Sequence, residues 1–75
     1  VHLTDEVRQE VVDAIRQEEA LTKRQRYVLA VVATLDPLDV LAEKVNRAAI
    51  KRLQKDGVTS YQEARTIREG GGELV

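Results

Sequence analysis

The run YVLAVVATL, residues 27–35, constrains this chain more than any other stretch. Only Thr34 interrupts its apolar residues, so as a helix it has no polar stripe to turn toward water. Such a helix must be enclosed by others, and 75 residues leave room for few of them. Its valines would also suit a strand. What precedes the run favours the helix: in TKRQ, Thr22 and Gln25 have the identities and spacing of a capping box. The expectation is an all-α domain wrapped around a central helix.

The remaining helices have equally local signals. Thr4 can cap a helix whose first turn is Asp5-Glu6, acids suited to the positive end of the macrodipole. Val7, Val11, Ala14 and Ile15 then share one face. In DPLD, Asp36 is a good cap and Pro37 suits the first helical position. Leu38, Leu41, Val45, Ala49 and Leu53 continue from there as one stripe, widened by Val40, Ala48 and Ile50, until Gly57 stops it. No breaker interrupts 37–56, which predicts a single long helix. Ser60 and Glu63 suggest another capping box, opening a last helix that packs through Tyr61, Ala64 and Ile67, with Val58 before them. Residues 70–75, with three glycines, are expected to fray. The sequence reads as four helices in one small domain: an acidic N-terminal amphipathic helix over 1–20, a helix-turn-helix-like core over 21–69, and a short tail.

The apolar fraction of 43 % supports a packed core, but Phe, Trp, Met and Cys are absent and Tyr27 and Tyr61 are the only aromatics. Small side chains bury less area each, so a domain of this size stands to gain from a partner or a second copy. Without cysteine there are no disulfides or thiolate metal sites, which suits the cytoplasm. No apolar run has the length of a membrane span, the acidic N-terminus does not read as a signal peptide, and a start on Val1 suggests trimming or processing.

Charge is unevenly spread although its total is only −1. Residues 1–20 carry Asp5, Glu6, Glu10, Asp13, Glu18 and Glu19 against Arg8 and Arg16, a net −4. Residues 21–55 carry eight bases against Asp36, Asp39 and Glu43, a net +5, and residues 56–75 carry −2. A basic middle between acidic ends can form a footprint for phosphate or for an acidic partner, or simply a set of solvated helix faces.

Catalytic chemistry finds no foothold. His2 is alone near a terminus, Ser60 and Thr22 are explained as caps, and no histidine stands ready to activate either. Glu18-Glu19 and the Asp36/Asp39 pair lack an oxygen-rich loop, and the triple glycine is not followed by the Lys-Ser/Thr of a phosphate loop. The expectation is a non-enzyme without metal, cofactor or small-molecule substrate.

Two segments then acquire a meaning together. LTKRQRYVLAVVA, residues 21–33, resembles the opening of the LuxR/GerE type of DNA-binding domain, and LQKDGVTSYQEARTI, residues 53–67, resembles its closing corner. The opening alone is also similar to region four of bacterial sigma factors and to the start of some phage small terminases. Covering about 21–69, the resemblance implies a helix-turn-helix that reads DNA. The middle departs from that pattern: it is about seven residues too short for a scaffold helix, a turn and a recognition helix. Either the scaffold helix is lost or two helices have fused.

Two functions follow as expectations. In the first, a DNA-binding or transcription-regulatory protein presents Lys44, Arg47, Lys51 and Lys55 from its third helix. Lys23, Arg24 and Arg26 add phosphate contacts at the start of the second. In the second, the chain is a protein-interaction module or phage-type accessory protein. Its acidic first helix then offers Val7, Val11, Val12 and Ile15 to another chain or a second copy, as a dimerisation arm or a lid on the basic middle.

Overall fold

A computed structural model describes residues 4–35 and 40–70, and over them the chain is all-α. The helices are α1 (Asp5–Arg16), α2 (Lys23–Ala33), α3 (Val40–Lys55) and α4 (Tyr61–Gly70). Thr4 Oγ1 accepts from the Val7 amide at 3.2 Å and caps α1. Thr22 and Gln25 form the reciprocal capping box that opens α2.

Helix α2 is the hub. Tyr27 to Ala33 are all buried, and α1, α3 and α4 each pack against this helix. Helix α1 contributes Val7, Val11 and Ala14; α3 contributes Ala49 and Leu53; α4 contributes Ala64. The radius of gyration is 11.0 Å, matching the roughly 11 Å of a compact chain of this length.

The packing of α1 corrects the assignment of its apolar face to a partner. Val7 and Val11 are not available to a partner, because they lie inside this chain's own core and Ile15 packs against it. Val12, 38 % exposed, is the member of the set that faces solvent.

Helix α3 is unbroken from Val40 to Lys55, with no turn near Val45–Arg47. Asp36 and Pro37, the expected start, lie outside the described residues. The inner face of α3 differs from the expected stripe: Val45 is exposed, while Arg52 is buried beside Ala49 and Leu53. Asn46, half-buried on the same side, explains much of this. Its Nδ2 donates across the end of α2, to the carbonyls of Val32, Ala33 and Leu35 at 2.9, 3.1 and 3.2 Å. Carbonyls at a helix end have no partner further along the helix, and Asn46 supplies a donor to these; Val32 O accepts from the Leu35 amide as well, at 3.4 Å.

A Schellman turn stops α3. The Val58 amide donates to Leu53 O at 2.8 Å and Gly57 N to Gln54 O at 3.1 Å, with Gly57 at φ 95°. The start of α4 is a variant of the expected capping box. Ser60 Oγ accepts from Glu63 N at 3.1 Å, but the Glu63 carboxylate accepts from Thr59 N, one residue before the hydroxyl that caps the helix.

Candidate nucleic-acid interface

Lys44, Arg47, Lys51 and Lys55 are all exposed. At about 100° per residue they fall on one side of α3, opposite the side that buries Ala49 and Leu53. Arg47 pairs with Glu43 one turn back, on the surface, where such a pair is weak. Lys44, Lys51 and Lys55 form no ion pair among the described residues. Lys44, Arg47, Lys51 and Lys55 follow one another at spacings of three, four and four, so successive cations are neighbours on one face.

The cations at the start of α2 are used differently. Arg24 makes two bonds to Glu10 of α1, Nε to Oε1 at 2.9 Å and Nη2 to Oε2 at 3.0 Å. That bond holds the Glu10 carboxyl below its usual range, and its counterpart raises Arg24. Arg24 also lies 5.9 Å from the Tyr27 ring centroid, within cation–π range. Arg26 donates to Asp56 at the end of α3, with Nε 3.0 Å and Nη2 2.9 Å from Oδ2. Asp56 Oδ1 accepts in addition from the Leu21 amide at 3.4 Å. The expected phosphate cluster at the head of α2 is thereby reduced. Arg24 and Arg26 tie α2 to its neighbours, leaving Lys23 as the exposed base without an ion pair among the described residues there.

A further base of the sequence's basic middle is withdrawn altogether. Arg52, 7 % exposed, lies under the surface of α3. Its guanidinium donates to the carbonyls of Ala14 at 3.3 Å and Glu19 at 2.6 Å, closing the end of α1 and the loop after it. One signal pointed this way: at about 100° per residue Arg52 falls about 60° from Ala49, within the apolar stripe that includes Val45 and Ala49, where a solvated arginine does not belong. At the far end of α2, Arg68 of α4 donates to Thr34 Oγ1 at 3.2 Å, and that hydroxyl donates back to Ala30 O at 2.8 Å.

The surface thus sorts into an outward row of cations on α3 and an inward set of arginines that close helix ends. Among the described residues no helix is long and apolar enough to cross a membrane, and no three His, Asp or Glu side chains are grouped to hold a metal ion. The chain matches no protein-family model, no curated protein and no solved structure.

Proposed function

We propose that this protein is a small DNA-binding regulator that lays the outer face of α3 against duplex phosphates. The observation that carries the reading is the row Lys44, Arg47, Lys51 and Lys55, exposed on one side of an unbroken helix. Three of the four are spared from ion pairs among the described residues. From first to last the row covers about 16 Å of helix axis at 1.5 Å per residue. The LuxR/GerE resemblance at both ends of the core supports the same assignment.

The mode of binding differs from that of a helix-turn-helix. There a helix before the reading helix crosses the backbone and orients it. Here α3 is one piece, so phosphate contacts dominate over base contacts and fix affinity more than sequence choice. The net charge of −1 does not oppose this, because the acids are concentrated elsewhere, six of them within residues 1–20.

Titrating a labelled duplex over a series of salt concentrations tests the reading. Four phosphate contacts predict a log–log slope of about −3.6, and Arg47→Ala or Lys51→Ala should each flatten it by about one unit. Absence of measurable duplex binding at low salt would eliminate the proposal.

A further inference from the structure

Five aspartates occur in the chain, and only Asp56 is followed by glycine. That pair has a chemistry of its own. A backbone amide nitrogen can close on the side-chain carboxyl of the residue before it, forming a five-membered ring. A side chain on the attacking residue obstructs that approach. Gly57 has none, and an added Cβ there would meet nothing within 4 Å, so that side of the residue is open. Glu6, Ala14 and Val40, which follow Asp5, Asp13 and Asp39, all carry side chains, and Pro37, after Asp36, has no amide hydrogen.

The fold engages both reacting groups elsewhere. Asp56 Oδ2 accepts from Arg26 Nε at 3.0 Å and Nη2 at 2.9 Å, and Oδ1 accepts from the Leu21 amide at 3.4 Å. The Gly57 amide donates to Gln54 O at 3.1 Å, inside the turn that stops α3. The Asp56 side chain is only 9 % exposed, which limits the water that can reach it. The weak point of this hold is Arg26. Its side chain is 41 % exposed and belongs to α2, so Asp56 is restrained only while the end of α3 stays against α2.

We propose that Asp56–Gly57 is a site of covalent modification, isomerising to isoaspartate whenever Arg26 releases Asp56. The Gly57 nitrogen attacks Asp56 Cγ; the N–Cγ bond forms, and the amide proton and the carboxyl hydroxyl leave as water. Water then opens the succinimide. Attack at Cγ restores aspartate, and attack at the main-chain carbonyl gives isoaspartate, with no net change in composition and no oxidant or cofactor. The main chain of the product runs through Cβ and Cγ, one atom longer, and its carboxylate stands on Cα. The turn bonds from Gly57 N to Gln54 O and from Val58 N to Leu53 O require the ordinary spacing. So does the reach of the carboxylate to Arg26 and Leu21. Isomerisation therefore uncouples the end of α3 from the start of α2. The outer face of α3 takes no part, so the inference is independent of the DNA reading.

The test incubates the whole chain in neutral buffer, well below its melting midpoint, and samples it over several weeks. An endoproteinase that cuts before aspartate but not before isoaspartate reads conversion at each site. Isoaspartate should accumulate at residue 56 and not at Asp5 or Asp13. In urea the unfolded chain should convert faster, because neither hold persists. Arg26→Gln should raise the native rate about three- to tenfold, the factor by which loss of a partly exposed charge-assisted bond favours local opening. Arg26→Lys should raise it less, and it carries the comparison if Arg26→Gln does not fold. Val28→Ala is the control, since it loosens the core without removing a partner of Asp56. The variants are compared at equal stability, set by adding urea to the more stable one. Equal acceleration by Val28→Ala would place control in global unfolding and overturn the proposal. A wild-type rate in the Arg26 variants, or conversion at Asp5 and Asp13 as fast as at Asp56, would do the same.

Discussion

Arg52 of α3 reaches back across the chain to donate to the carbonyl of Glu19 at 2.6 Å, with Ala14 O also within its reach at 3.3 Å. A base counted from sequence toward a nucleic-acid footprint is thus a buried closure for the end of α1. Arg52→Ala takes the guanidinium donor from both carbonyls, leaving Ala14 O with the Gln17 amide alone at 3.4 Å. Bonds to a charged donor contribute about 1.5–3 kcal/mol, so the loss should be of that order in urea unfolding. Arg52→Lys should recover only part, because an ammonium lacks the planar fork that spans two acceptors.

Asn46 makes the complementary closure for α2. Asn46→Ala removes a shared donor from the carbonyls of Val32, Ala33 and Leu35 and should cost about 1–3 kcal/mol. Asn46→Asp is expected to be worse at neutral pH, since it turns a carboxylate toward carbonyl oxygens. Its penalty should shrink in acid as the carboxyl gains a proton to donate, and denaturation at several pH values reads this directly.

Gly57 is needed for its backbone and not for space. Its φ is 95°, while an added Cβ would meet nothing within 4 Å. Gly57→Ala should therefore destabilise by about 1–2 kcal/mol, the cost of a left-handed residue with a Cβ. Gly57→Asn should cost less, and the midpoint of thermal unfolding would rank the two.

The Glu10–Arg24 pair gives stability a pH dependence of known sign. Arg24 lowers the Glu10 carboxyl in the folded chain below the reference of 4.5. The contribution is fully present above that value and is lost as pH falls through the folded pKa. Both side chains are more than a third exposed, so the effect should stay under about 1 kcal/mol and fade with salt. Glu10→Gln should flatten the acid limb of the stability profile by that small amount.

Removing residues 1–20 is not a clean way to expose the basic middle. It deletes Val7, Val11 and Ala14 from the core together with the acids, so the remaining chain should unfold. Reversing charge in place, by Glu10→Lys, releases Arg24 and retains α1. If duplex binding depends on free cations near α2, that variant should bind more tightly in a salt titration.

What could be read from the sequence was whatever is settled within a few residues. Thr4 finds the Val7 amide, Thr22 pairs with Gln25, and Gly57 closes its own turn, so these ends were marked in the chain itself. The enclosure of α2 was equally legible, because a helix without a polar side has few alternatives. Asn46 and Arg52 were not legible in the same way: their acceptors lie 14 and 38 residues away, in carbonyls that every sequence possesses. The four cations of α3 could be placed on one face by spacing, whereas Arg24 and Arg26 found the carboxylates of Glu10 and Asp56, which no local pattern reveals.

The hub position of α2 also has a consequence during synthesis. Residues 27–33, YVLAVVA, are uncharged, valine-rich and free of proline, the composition of a segment prone to strand-like self-association. Their cover comes largely from later sequence: Ala49 and Leu53 follow, and Ala64 completes the enclosure. At about 5–20 residues per second, the ribosome needs roughly 2–6 s to travel from Ala33 to Ala64. Until Ala49 and Leu53 have been added, only α1 precedes the most apolar segment of the nascent chain to shelter it, and Ala64 completes its cover last.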